Sequence, residues 1–147
     1  MKFVLTHALS QAGMDVLEES GAEIYVANSA QPETYLDQLQ DADGFIIRVG
    51  LCPAELIDCC PNLKVIGRTG VGYDNVDVKH AAQRGIPVVF TPGANNRSVA
   101  EHAVASMFAL AKNMLEADAQ LRKGDWKIRD AGKAFELQGK KVGIIGV

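Results

Sequence analysis

The sequence predicts an α/β fold built on an open parallel sheet. Short apolar runs rich in Val and Ile alternate along the chain with segments that carry helix start and stop signals. The runs do not alternate strictly between apolar and polar residues, which is typical of strands buried on both faces. We expect the flavodoxin-like strand order 2-1-3-4-5. The five predicted strands are Lys2–Leu5, Glu23–Ala27, Gly44–Arg48, Leu63–Gly67 and Ile86–Thr91.

Local signals predict helices between these strands. A glycine follows Gln11–Ser20 and can end a helix in the left-handed conformation. Pro32 and Pro53 suit the first turns of two short helices. Asp77 can cap a helix over Val78–Arg84. Each predicted strand is therefore followed by a helix that can lie on a face of the sheet.

A longer helix is predicted from Ser98 to Lys123. Ser98 and Glu101 have the spacing of a capping box, and Gly124 can end the helix. At 1.5 Å per residue it would be about 37 Å long. Its apolar residues cover more than one narrow stripe, so it needs burial on several sides. It is either a long core helix of a monomer or a helix between domains or subunits, and we favour the second.

Composition excludes several classes of protein. The chain has 147 residues, of which 48% are hydrophobic and 22% charged, as in globular domains. Its formal net charge of −3 gives no electrostatic reason to expect nucleic acid or an anionic membrane as partner. The sequence has neither an apolar run of membrane-spanning length nor a signal peptide, so we expect a cytoplasmic protein. We interpret Cys52, Cys59 and Cys60 as reduced thiols without metal-ligand spacing.

Glycines and arginines near two predicted strand ends form the candidate binding site. The segment Gly67–Gly72 lacks the G-x-G-x-x-G spacing of a dinucleotide fingerprint. Its glycines either expose backbone N–H groups to an anion or simply form a tight turn. Arg48 and Arg68 end two successive predicted strands and could point into one crevice. There they either grip a carboxylate or phosphate or pair with surface carboxylates.

The end of the chain predicts a sixth strand, Lys140–Val147. A strand that runs into a glycine, here Gly146, is how the first strand of a dinucleotide-binding unit begins. One glycine alone does not define such a unit. The histidines have no nucleophile or carboxylate partner at motif spacing, so the sequence predicts no catalytic triad, acid–base pair or metal site.

Several motifs then occur in the order and spacing of one family. They are G-x-G-x-D-N-V-D from Gly70, the strand RGIPV, the helix start N-x-x-S-V-A-E-H from Asn95, and the final GKKVGIIGV. Together they resemble the D-isomer-specific 2-hydroxyacid dehydrogenases, within them the phosphoglycerate dehydrogenase and glyoxylate/hydroxypyruvate reductase branch. The resemblance implies hydride transfer between a small anionic 2-hydroxy or 2-keto acid and NAD.

The resemblance also implies two domains and a set of site residues. Residues 1–97 would bind substrate, and residues 98–147 would hold the interdomain helix, at which a homodimer forms, and the start of a Rossmann coenzyme domain. The implied substrate-binding residues are Arg48, Val49, Gly50, Arg68, Val71, Gly72 and Asn95. The implied coenzyme contacts are Val71, Val99 and Gly146.

The family's catalytic Arg, Glu and His match no residue of this chain. The resemblance places them beyond Val147, so we expect an amino-terminal fragment that is inactive by itself and holds NAD only in the full-length protein. Two other hypotheses stay open, a non-enzymatic corepressor-like module and a stand-alone flavodoxin-like binding module.

Overall fold

A computed structural model describes residues 1–145 of the chain. They fall into two units, Met1–Ala94 and a second unit that begins at Asn95, and each is described by itself. The domain boundary after residue 97, implied by the resemblance, stays a prediction. None of the described helices combines the length and the apolar character that a membrane crossing requires.

The first unit is built on a five-stranded sheet with the order β2-β1-β3-β4-β5. All neighbouring strands pair in parallel. The flavodoxin-like order predicted from the apolar runs is therefore confirmed. β5 is shorter than predicted, in keeping with the missing N–H of Pro87, which cannot donate to the ladder. The strands are β1 (Lys2–Leu5), β2 (Glu23–Val26), β3 (Gly44–Ile47), β4 (Val65–Arg68) and β5 (Val88–Val89).

Helices connect the strands near the predicted places. The Asp77 cap is confirmed, because its Oδ1 accepts a hydrogen bond of 2.9 Å from the backbone N–H of His80. The helices are α1 (Gln11–Glu19), α2 (Leu36–Leu39), α3 (Ala54–Asp58), α4 (Val78–Gln83), α5 (Asn96–Ala111) and α6 (Met114–Arg122), with 3-10 turns at Pro32–Thr34 and Trp126–Asp130.

The long helix predicted from Ser98 to Lys123 is divided into α5 and α6. Asn113 lies between them in the left-handed conformation, with a φ of 50°. Asparagine tolerates this conformation better than most residues, and it ends the regular hydrogen-bond ladder. The helix also begins earlier than predicted, with Asn95 at its cap position. Ser98 is therefore already helical and forms no capping box.

The predicted sixth strand does not form over residues 140–145, which have no strand assignment. Within the described part of the chain they pair with none of the five strands. A strand depends on a neighbour for its N–H and C=O groups, and these residues have none. Gly146 and Val147, which complete that prediction, lie outside the described residues.

The core of the first unit lies between the sheet and its helices. Val4, Phe45 and Ile66 from the three central strands are at most 1% exposed. Two free thiols, Cys52 and Cys60, are part of the same cluster. Burial raises the pKa of Cys52 to about 12 and that of Cys60 to about 11. Both stay protonated at neutral pH and act as small apolar side chains.

One carboxylate links two strands outside this core. Asp43 accepts hydrogen bonds of 2.6 Å from Lys64 Nζ and 2.8 Å from the backbone N–H of Lys2. The bond from Lys64, and after it the bond from Lys2, lower the pKa of Asp43. A carboxylate whose pKa is lowered in the folded state stabilises the fold at pH values above its unfolded-state pKa of about 3.9. That contribution is lost as the pH falls through the pKa of the folded state.

We therefore expect Asp43→Asn to lower the melting temperature by a few degrees at pH 7, because it removes both charge-assisted bonds. The difference from the parent chain should shrink as the pH falls below about 4, as thermal unfolding followed by circular dichroism would show. Asp41→Asn is the control, since Asp41 pairs with Lys2 Nζ at the surface. A loss at pH 7 that persists unchanged at pH 3 would contradict the assignment.

Candidate functional site

The candidate site is formed by loops at the carboxyl edge of the sheet. The loops after β1, β3 and β4 start side by side, because these strands are neighbours. Buried Thr6 accepts a 3.0 Å hydrogen bond at Oγ1 from the backbone N–H of Arg48. The backbone N–H of Thr69 donates to the carbonyl of Ile47 at 3.1 Å. Ligands of open parallel sheets bind at this edge.

The loops after β3 and β4 are hydrogen-bonded to each other. The backbone N–H of Cys52 donates to the carbonyl of Asn75 at 2.8 Å, and the N–H of Asp77 donates to the carbonyl of Cys52 at 2.9 Å. This forms an isolated parallel bridge between Cys52 and Val76, both of which are buried. The two loops therefore form one platform rather than two independent turns.

Arg68 is held by the loop that follows it. Its Nη1 donates to the carbonyl of Thr69 at 2.6 Å, and its Nε lies 3.4 Å from Oδ1 of Asn75. A Cβ at Gly70 would overlap the guanidinium, and the φ of Gly70 is +152°. Within residues 1–145 neither Arg68 nor Arg48 forms an ion pair with a carboxylate. The surface-pair interpretation of the two arginines is thus not supported.

Several backbone amides of the loops after β3 and β4 have no partner within residues 1–145. Among the described residues, the N–H groups of Val71 and Gly72 donate to no backbone acceptor, and the same holds for Val49 and Gly50. The Val71 side chain is 41% exposed, so the loop is open rather than sealed. Unpaired amides on a glycine-containing loop can bind an anion.

The two arginines line different clefts. Arg48 lines a cleft of about 540 Å³ that also contains Ser10 and Thr69. Arg68 lies in a second cleft of about 280 Å³, and the two clefts share Leu9 and Thr69. The single crevice expected from the sequence is therefore two adjacent clefts. The side chains of paired residues in parallel strands lie on the same face of the sheet, and Ile47 pairs with Arg68. Because successive residues alternate between faces, Arg48 begins on the face opposite to Arg68.

Sequence reasoning missed the loop after β1. His7 Nδ1 and Thr69 Oγ1 are buried polar atoms without a hydrogen-bond partner among the described residues. The predicted strand order already indicated that this loop belongs to the site, because β1 lies beside β3 and brings its loop next to Arg48.

Two of the predicted contacts belong to the second unit. Asn95 precedes α5 and Val99 lies in its first turn, and both are exposed residues of the second unit. Their roles toward substrate and coenzyme stay predictions. Gly146 lies outside the described residues.

Two family models match the chain. Residues 3–124 match the catalytic domain of the D-isomer-specific 2-hydroxyacid dehydrogenases, and residues 104–147 match the NAD-binding domain of the same family. The chain belongs to this family. The resemblance inferred from the DNVD, RGIPV and SVAEH motifs is thereby confirmed.

Individual relatives agree with this membership. The chain is 40% identical to D-3-phosphoglycerate dehydrogenase of Methanocaldococcus jannaschii over 148 aligned residues. The alignment covers 100% of the chain and 28% of the relative. It is also similar to the NAD-dependent formate dehydrogenase of Staphylococcus aureus in complex with NAD, with a TM-score of 0.78 and 31% identity over 94% of the chain and 47% of that structure.

A second solved structure is the NADPH-dependent glyoxylate/hydroxypyruvate reductase of Sinorhizobium meliloti in complex with NADP and malonate. Its TM-score is 0.78 at 29% identity, over 99% of the chain and 46% of that structure. The chain thus spans less than a third of the phosphoglycerate dehydrogenase and about half of each solved dehydrogenase chain.

We expect Gly70→Ala to displace the Arg68 guanidinium, because the added methyl group would occupy its place. The measurement is the position of the Arg68 Nε–H resonance in a ¹⁵N NMR spectrum. Gly85→Ala is the control, since Gly85 has a φ of +71° and no atom within 4 Å of its Cβ position. Both changes should cost ~1–3 kcal/mol of stability through backbone strain. An unmoved Arg68 resonance in Gly70→Ala would refute the packing described here.

Proposed function

We propose that the chain provides the substrate-binding part of an NAD-dependent D-2-hydroxyacid dehydrogenase similar to D-3-phosphoglycerate dehydrogenase. The observation that carries the proposal is that, among the described residues, the backbone amides of Val71 and Gly72 are unpaired and Arg68 forms no ion pair with a carboxylate. Membership in the family supports hydride transfer as the reaction.

This edge of the sheet suits the carboxylate of a 2-hydroxy acid. Amide N–H groups and a guanidinium make charge-assisted hydrogen bonds to a carboxylate, and a fixed guanidinium can do so with two donors. Arg48 is exposed and lines the neighbouring cleft, where it offers a second cation for a substrate that carries a phosphate. The malonate complex of the reductase named above supports an anionic substrate.

The role proposed for these residues is to bind and orient substrate. NAD, when bound, supplies the acceptor for the hydride that leaves the substrate carbon. The exposed apolar side chain of Val71 fits a contact with a flat coenzyme ring, and residues 104–147 match the NAD-binding domain. We propose that the catalytic Arg, Glu and His belong to a longer polypeptide and that the chain alone is inactive.

The homodimer predicted through residues 98–123 remains a proposal. Large apolar side chains on α5 and α6 support it, because Leu110 is 76% and Leu115 81% exposed. Contiguous exposed apolar surface is typical of protein contacts. The cytoplasmic location also stays a prediction.

The test is Arg68→Ala in a polypeptide that contains this chain and the whole NAD-binding domain. KM for 3-phosphoglycerate should rise roughly 10- to 100-fold, because a hydrogen bond to a charged group contributes about 1.5–3 kcal/mol. The change in kcat should be smaller, as expected for an interaction made equally in ground and transition states.

Arg84→Ala is the matched control, since Arg84 follows α4 and pairs with Asp58. It should leave KM unchanged. An unchanged KM in Arg68→Ala would remove Arg68 from the site. A parent polypeptide that binds hydroxy acids without turning them over would instead favour the non-enzymatic binding module.

A further inference from the structure

We propose that Asn75 is a positioning residue, which holds Arg68 and the loop after β3 in the arrangement that binds substrate. This inference rests on the proposed function. The Nδ2 of Asn75 donates to the carbonyl of Gly50 at 2.9 Å, and its Oδ1 faces Nε of Arg68 at 3.4 Å. Its backbone carbonyl accepts the 2.8 Å bond from Cys52. One residue thus contacts both loops and the arginine.

The carboxamide is suited to this position because it has a donor and an acceptor on one short side chain. The oxygen must face Arg68, which has only donors, and the nitrogen must face the Gly50 carbonyl, which only accepts. An aspartate would accept from Arg68 but would place a second oxygen against Gly50. An alanine would keep the backbone bond to Cys52 and lose both side-chain bonds.

Fixing Arg68 in advance favours binding. A free arginine side chain loses rotamer entropy when it is ordered on binding. Here Nε faces Asn75 and Nη1 donates to Thr69, so the guanidinium plane is set before a ligand arrives. No hydrogen bond from Nη2 occurs in the part of the chain that the structure describes. That nitrogen is left for an anion. Because the guanidinium is already ordered, binding does not have to order it, and the affinity is higher.

The bond to Gly50 places the second loop. Gly50 has a φ of +99°, and a Cβ there would lie 2.8 Å from the carbonyl oxygen of Ala30, so the backbone is closely packed at this point. Asn75 fixes the carbonyl of this residue, and the N–H groups of Val49 and Gly50 stay unpaired within residues 1–145. Asn75 therefore links the loop that carries these amides to the side chain of Arg68.

The experiment is a double-mutant cycle on KM for 3-phosphoglycerate, in the polypeptide that includes the NAD-binding domain. Asn75→Ala should raise KM about tenfold with little change in kcat. In the Arg68→Ala background the same substitution should raise KM by a clearly smaller factor, because the part of its effect that passes through Arg68 is then lost and only the part that passes through Gly50 remains. An equal rise in both backgrounds, or no rise in either, would overturn the proposal.

Asn62→Ala is the control, because Asn62 is an exposed asparagine before β4. It should leave KM at the parent value. Should Asn75→Ala fail to fold, Asn75→Ser replaces it, with the same rise in KM and the same dependence on Arg68 expected. A parental KM in a folded Asn75→Ser variant would also overturn the proposal.

A readout without turnover separates this inference from the proposed function. In the 147-residue chain, Asn75→Ala should shift or broaden the Arg68 Nε–H resonance, and Asn62→Ala should not. If the parent polypeptide has no dehydrogenase activity, the proposed function fails, and this spectrum still decides the role of Asn75. An Arg68 resonance that is identical in the parent chain and in Asn75→Ala would refute it.

Discussion

The backbone pairing between Cys52 and the segment Asn75–Asp77 determines the geometry of the site. It pairs the loop after β3 with the loop after β4 in the same parallel sense as the strands themselves. Cys52 and Val76 are buried, so the pairing is also anchored by the hydrophobic core. An unpaired buried backbone group would cost about as much as a lost hydrogen bond, which makes the arrangement difficult to distort.

The loop platform combines rigid anchors with unpaired donors. The anchors are hydrogen bonds that the backbone N–H groups of Arg48, Thr69 and Cys52 donate to neighbouring strands or loops. The donors, Val71 and Gly72, lie on a loop that is open rather than sealed, so leaving them unpaired costs little. A rigid frame with exposed donors is what an anion site needs, because the binding energy is not spent on ordering the loop.

Much of the fold was predictable from the sequence, because burial on two faces leaves a strong pattern. The apolar runs around Val4, Phe45 and Ile66 gave correct strands, and the strand order followed from their number and type. The break at Asn113 was not predictable, because asparagine is only slightly unfavourable inside a helix and no Pro or Gly marks the position. Residues 140–145 have no strand assignment for a different reason, since a strand pattern in the sequence does not show whether a neighbouring strand exists.

The candidate site was only partly predictable. Arg48, Arg68 and the glycine segment could be located because they lie at the ends of strands. The side-chain bonds of Asn75 could not, because they depend on where another loop lies, and in the sequence Asn75 is only part of a family motif. The loop after β1 was missed because its neighbours come from strand order rather than from sequence proximity.

We propose that the carboxyl edge of this sheet binds a small organic anion through the amides of Val71 and Gly72. The most direct measurement is a ¹⁵N NMR titration of the chain with 3-phosphoglycerate, with NADH as the comparison ligand. We expect saturable shifts of these two amides with 3-phosphoglycerate and no saturable shift with NADH. Amides of Val71 and Gly72 that stay unmoved while 3-phosphoglycerate saturates other residues, or that respond to NADH alone, would contradict it.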